Sequence, residues 1–232
     1  MKARRGRLIP FAASILAAVT LVFASGPVFA EPSPPVIVAL GDSLTAGYQL
    51  PQAEAFPAQL QEALEARGQK VEVVNAGVSG DTAAGGLSRF DWAVPENADA
   101  IILELGANDA LRGLSPAEAK ASLAKIIEQA KARDLPVLLA GMEAPRNMGK
   151  DYVEEFHAIY PALAEQYDLI LYPFFLDGVA MDDTLTLSDG MHPNGDGVAK
   201  IVDGIMPKVE ELLGEVRAQR EASAPASPSP KL

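Results

Sequence analysis

Cysteine is absent from the 232 residues. Its absence excludes disulfide stapling, thiolate nucleophiles, thiolate metal sites and an N-terminal lipid-modified cysteine. Histidine is nearly absent, with only His157 and His192 in the chain, so a reaction that needs an imidazole base has two candidates. Basic charge is also scarce: 19 Lys and Arg face 31 Asp and Glu. A nucleic-acid partner needs a basic footprint, so that class is excluded and the acidity reads as a solubility device. The one long apolar stretch, Leu8 to Phe23, is shorter than the roughly 20 residues of a membrane span, and it contains Pro10.

That stretch follows Lys2, Arg4, Arg5 and Arg7 and runs into Ser25-Gly26-Pro27-Val28-Phe29-Ala30. A charged head, an apolar middle and a small-residue exit form the pattern of a secretory signal, with cleavage expected near Ala30. Removing residues 1–30 leaves 15 basic side chains against 31 acidic ones, a formal charge of −16. The mature protein is expected in a periplasm or outside the cell, with no stable membrane span.

With 49% hydrophobic residues and a length suited to one core, the rest reads as a single domain, 31–217. It is expected to be followed by a disordered tail, 218–232, rich in Pro, Ala and Ser. Short apolar runs at Val36–Leu40, Val71–Val74, Ala100–Leu105, Val137–Ala140 and Leu169–Tyr172 read as strands. They show almost no polar alternation, as a parallel sheet covered on both faces requires. Helical spacing separates them: Phe56, Leu60 and Leu64 share one face, and Leu123, Ile126, Ile127 and Ala130 share another. Ser115-Pro116-Ala117-Glu118 opens the second of these with an N-cap and a first-turn proline. A last helix carries Val198, Ile201, Val202, Ile205, Val209 and Leu212, with a bend expected at Pro207. The alternation predicts an open, doubly wound α/β sheet.

In such a sheet ligands bind beyond the carboxyl ends of the strands, near the point where strand order reverses. Three strand exits are polar and glycine-rich: Gly41-Asp42-Ser43-Leu44, Asn75-Ala76-Gly77-Val78-Ser79-Gly80-Asp81 and Gly106-Ala107-Asn108-Asp109. A fourth segment, Asp189-Gly190-Met191-His192-Pro193, precedes the last helix. A nucleophilic serine needs a near-neutral base and a carboxylate to orient that base. Ser43, His192 and Asp189 supply the three types. A developing oxyanion needs fixed donors, and the Ser43 N–H, the Gly80 N–H and the Asn108 carboxamide are the candidates.

Other motifs take plainer readings. Gly77-Val78-Ser79-Gly80 lacks the last glycine of a nucleophile elbow, and His157 lies in a helical pattern from Tyr152 to Tyr167 as a surface or packing residue. Asp42 reads as a turn residue or a partner of the site groups, and Asp81 as a helix N-cap. The spacing of Asp182, Asp183, Asp189 and His192 matches no familiar metal loop, so neither a metal nor any other cofactor is expected.

The four separated blocks, with Gly41-Asp42-Ser43-Leu44 first, resemble the SGNH (GDSL) hydrolase family. The stretches GDSLTAGY, VVNAGVSGDT, ELGANDALRG, FHAIYPALAEQYDL, YPFF and DGMHPN resemble its bacterial periplasmic branch of multifunctional acyl-CoA thioesterases, arylesterases and lysophospholipases. The resemblance implies a flavodoxin-like three-layer α/β/α sandwich with a five-stranded parallel sheet. It implies Ser43 as nucleophile, His192 as base, Asp189 as its partner, and Ser43, Gly80 and Asn108 as oxyanion donors. It also implies a mobile acyl-binding loop at Ala110–Ser115, bringing Ala110, Leu111, Arg112, Gly113 and Leu114 to a small acyl ester or thioester substrate. Close relatives often have glycine at the position of Ala107, whose methyl is expected beside the oxyanion site. A monomer or weak oligomer is expected. Two other functions remain at this stage: a carbohydrate O-deacetylase on the same site, and a non-catalytic export-compartment protein cradling an anion at the strand exits.

Overall fold

The computed structural model describes residues 33–223, nearly all in one compact unit that begins at Pro34. The segment 1–30, read as a secretory signal, and residues 224–232 lie outside the described residues. In chain order the elements are β1 (Val36–Gly41), α1 (Ser43–Ala46), α2 (Phe56–Ala66), β2 (Glu72–Gly77), α3 (Ala83–Ala93), β3 (Ala100–Glu104), α4 (Ala107–Leu111) and α5 (Pro116–Ala132). There follow β4 (Val137–Ala140), α6 (Lys150–His157), α7 (Ile159–Tyr167), β5 (Ile170–Tyr172) and α8 (Gly195–Ser223).

The five strands pair in the order β2-β1-β3-β4-β5, all parallel. This is a doubly wound order whose direction reverses between β1 and β3. The crossovers place the helices in two groups: α2 packs against α8, while α3, α5 and α7 pack in succession. The expected three-layer α/β/α sandwich is the architecture observed. Ile37, Val38 and Leu40 of β1 and Ile101, Ile102 and Leu103 of β3 have no exposed surface, which explains their unbroken apolar runs. Burying each such side chain contributes about 1.5–3 kcal/mol.

Register positions the site. Gly41 lies beside both Gly77 and Glu104, so β1, β2 and β3 end at one level and their exits converge above the sheet.

Three local expectations are corrected. The strand β2 is not covered on both faces: Glu72 and Asn75 are exposed, because β2 lies at the sheet edge. The pattern Tyr152–Tyr167 forms two helices parted at Ala158, since Pro161 has no N–H to bond the His157 carbonyl. The tail expected to be disordered from 218 is helical to Ser223, and α8 continues through Pro207. Its anchor is ionic rather than apolar: Arg220 Nη2 and Nε lie 2.7 and 2.8 Å from the two oxygens of Asp99.

Candidate active site

Ser43 opens the one-turn helix α1 immediately beyond β1. The turn is tight because Gly41 has no side chain: a Cβ there would overlap Thr45 Oγ1 and Glu104 Oε2. Asp42 caps the turn, its Oδ1 accepting from Leu44 N at 3.0 Å. Gly47 closes the turn in the left-handed region, with φ 78°.

His192 reaches Ser43 from the segment before α8, 149 residues away in sequence, with Nε2 3.0 Å from Ser43 Oγ. A small hairpin holds this segment: Thr186 bridges Pro193, Leu187 N donates to His192 O at 2.7 Å, and Asn194 N donates to Leu185 O at 2.9 Å. Asp189 Oδ1 accepts from the N–H groups of Met191 and His192, and Oδ2 lies 2.7 Å from His192 Nδ1. The backbone N–H of His192, with that of Met191 and the imidazole itself, holds the Asp189 carboxyl down at about 2. An ionised carboxylate only accepts. Nδ1 therefore carries the ring proton, and Nε2 is left to accept the Ser43 hydroxyl.

The three groups expected as oxyanion donors follow the ends of β1, β2 and β3. Asn108, in the first turn of α4, has Nδ2 3.0 Å from Asp42 Oδ2. One amide hydrogen is thereby committed and the other is available. Gly80 adopts φ 86°, a conformation that favours glycine. Among the described residues neither the Ser43 N–H nor the Gly80 N–H meets an acceptor. Gly106 gives α4 its start, at φ 121°, where a Cβ would overlap the Tyr160 hydroxyl.

The floor of the site is unusually acidic for a buried place. Asp42 and Glu104 have no exposed surface. Burial pushes Asp42 up to about 6, against the pull of Leu44 N–H, Asn108 and His192. Burial and the neighbouring Asp42 push Glu104 well above the ordinary carboxylate range. Glu104 Oε2 accepts from Thr45 Oγ1 at 2.7 Å and from Asp42 N at 3.3 Å.

The structure thus joins Ser43, His192 and Asp189 by side-chain contacts and sets Asn108 on the Asp42 carboxylate next to Ser43, and it revises several neighbours. Asp81 does not cap α3. Thr82 does, accepting from Gly85 N at 3.1 Å, while Asp81 Oδ2 lies 2.6 Å from Arg89 Nε. The buried guanidinium needs that counter-charge. Ala110 is 1% exposed and belongs to the core, so the outward residues of its loop are Leu111, Arg112, Gly113 and Leu114. Ala107 packs partly buried against the core. His157 is exposed at the end of α6. Among the described residues no three His, Asp or Glu side chains are grouped to hold a metal ion, and no helix is long and apolar enough to cross a membrane.

Sequence reasoning missed Tyr48, Glu104 and Arg89. The Tyr48 ring centroid lies 4.4 Å from that of His192, a contact with no sequence signal beyond its nearness to Ser43. Glu104 was visible as the lone carboxyl in an apolar run. Arg89 donates to Gly41 O and Ala76 O, both at 2.8 Å, besides pairing with Asp81. Its signal was a charge in the buried stripe Ala83, Gly86, Phe90.

A serine hydroxyl within hydrogen-bond distance of an imidazole that faces a carboxylate, at the reversal point of a doubly wound sheet, is an arrangement that suits the serine hydrolase class. Residues 39–200 match the GDSL-like Lipase/Acylhydrolase family, and the chain belongs to that family. It is 38% identical to the Esterase TesA of Pseudomonas aeruginosa over 178 residues, 76% of this chain and 89% of the relative. It is 40% identical to an Arylesterase of Vibrio mimicus over the same shares of both chains. Among solved structures, AlinE4, an SGNH-hydrolase family esterase, superposes with a TM-score of 0.67 at 46% identity. That match covers 79% of this chain and 99% of the other.

Proposed function

We propose that this chain is an exported serine esterase that hydrolyses carboxylic esters and thioesters, of arylesterase, acyl-CoA thioesterase and lysophospholipase type, through an acyl-Ser43 intermediate. The observation that carries the reading is the unbroken contact from Ser43 Oγ through His192 to an ionised Asp189. Ser43 Oγ attacks the carbonyl carbon as His192 Nε2 takes its proton, and Asp189 stabilises the imidazolium. The oxyanion rests on the N–H groups of Ser43 and Gly80 and on Asn108 Nδ2. His192 then returns the proton to the departing alcohol or thiol. Water, deprotonated by His192, attacks the acyl carbon and frees Ser43.

Exposed apolar side chains support an acyl substrate: Tyr48, Leu111, Leu114 and Met191 come from the segments that carry the nucleophile, the Asn108 donor and the base. Export is read from residues 1–30. All described elements follow Ser33, which leaves room for cleavage near Ala30 on this reading. The hydrolase domain read as 31–217 then extends, among the described residues, with α8 to Ser223.

Ser43→Ala should abolish turnover of nitrophenyl esters and acyl-CoA thioesters and prevent labelling by a fluorophosphonate, with the far-ultraviolet spectrum unchanged. Retained turnover in that purified variant would overturn the reading.

A further inference from the structure

The donor at Gly80 is not rigid by itself. Glycine at φ 86° lies in a region where the chain has the most freedom. Among the described residues, the loop backbone bonds next to it are Val78 N to Gly41 O at 3.0 Å and Asp81 N to Val78 O at 3.1 Å. Its neighbours must therefore aim its N–H. One anchor lies on its carboxyl side, where Arg89 grips Asp81 at 2.6 Å. The second is Arg112, whose Nη2 donates to Gly80 O at 2.7 Å. Arg112 stands directly after α4, between the exposed Leu111 and Leu114.

The segment that carries Arg112 is itself held at both ends. Asp109 Oδ2 accepts from Ala83 N at 2.8 Å, and Tyr152 Oη donates to Leu114 O at 2.8 Å. Arg112 thus reaches from a loop tied at Asp109 and Leu114 onto the carbonyl of the donor glycine. A cation donating to a carbonyl makes a charge-assisted bond, and it lies across the open side of Gly80, where a Cβ would be 3.6 Å from Nη2.

We infer that Arg112 is a positioning residue for the oxyanion hole: by holding Gly80 O it aims the Gly80 N–H at the reacting carbonyl, and it ties that donor to the Leu111–Leu114 loop. The inference rests on the esterase reading above. Arg112 touches no reacting atom on this account. Its loss should therefore appear in kcat for every acyl chain, because a misaimed donor weakens only the transition state. Removing a donor outright costs 10²–10³ in kcat, and loosening one should cost about tenfold.

The test compares Arg112→Ala and Arg112→Lys with the wild-type chain on nitrophenyl acetate, nitrophenyl decanoate and a matched thionoester. A thionoester puts sulfur, a poorer acceptor on a longer bond, where the oxyanion forms. The ratio of oxoester to thionoester turnover therefore reports how well the donors fit. Arg112→Ala is expected to lose about tenfold in kcat on both chain lengths with KM nearly constant, and to lower that ratio. Arg112→Lys, which keeps one cationic donor, should recover most of both. An unchanged kcat in Arg112→Ala, or a loss confined to KM that grows with chain length, would overturn the inference and make Arg112 a plain substrate contact. Its exposed position makes loss of the fold a minor concern, and a melting curve of each variant checks it. Failure of the esterase reading would look different, since wild-type protein would then resist fluorophosphonate labelling at Ser43.

Discussion

Replacing Asn108 by alanine should damage activity and stability by separate routes, and both magnitudes follow from one side chain. Its Nδ2 has two hydrogens, and the 3.0 Å contact with Asp42 Oδ2 uses one. The other is the proposed oxyanion donor. Losing that donor should cost about 3 kcal/mol of transition-state stabilisation, a fall in kcat of about 10²–10³. Losing the first hydrogen strips Asp42 of a partner. Asp42 is fully buried, so an oxygen without its donor costs about 1–3 kcal/mol. For a domain of this size that lowers Tm by about 2–12 °C. The loss should grow as pH rises above about 6, where Asp42 ionises. The assay is steady-state hydrolysis of a nitrophenyl ester well below the lowered Tm, with thermal melts at pH 5 and pH 8. A variant with wild-type kcat and a raised KM would refute the donor role. Equal melting losses at both pH values would refute the account of Asp42.

Two further outcomes follow from the titrating groups. Asp189→Asn offers Nδ1 no acceptor-only partner, so the ring can take the wrong tautomer, and kcat should fall by up to about 10⁴; a loss under tenfold in pH-rate measurements would contradict the relay. Asp42 has its folded value raised from 3.8 to about 6, so the native state holds a proton that the unfolded chain releases. Stability from this group is present below about pH 4 and is lost as pH rises to about 6. Asp42→Asn should therefore flatten the fall in Tm across that window, and an unaltered slope would show that Asp42 titrates normally.

The elements most legible in the sequence were those with a strong period or a strong cap. The runs around Ile37, Ile101 and Leu138 have both faces covered, so their composition announced buried strands. Ser115 and Pro116 marked the start of α5 for the local reason that a side-chain oxygen and a missing N–H suit a first turn. Where long-range contacts decide, local reasoning failed. Asp81 serves Arg89 instead of capping α3 because a guanidinium 4% exposed outranks a cap that Thr82 can supply. Residues 218–223 are helical because Arg220 finds Asp99 across 121 positions, which composition cannot reveal.

By itself the sequence determined the doubly wound sheet, through hydrophobic periodicity, and the chemical types at the strand exits, through glycine-rich turns that need particular residues. Only the tertiary structure decided which groups meet. Parallel register levels Gly41 with Gly77 and Glu104, and the hairpin at Thr186 and Pro193 carries His192 to 3.0 Å from Ser43. It also decided the state of the groups beneath them. Desolvation depends on everything packed around a carboxyl, so Asp189 at the rim stays ionised, while Glu104, under the nucleophile turn, is pushed well above the ordinary carboxylate range.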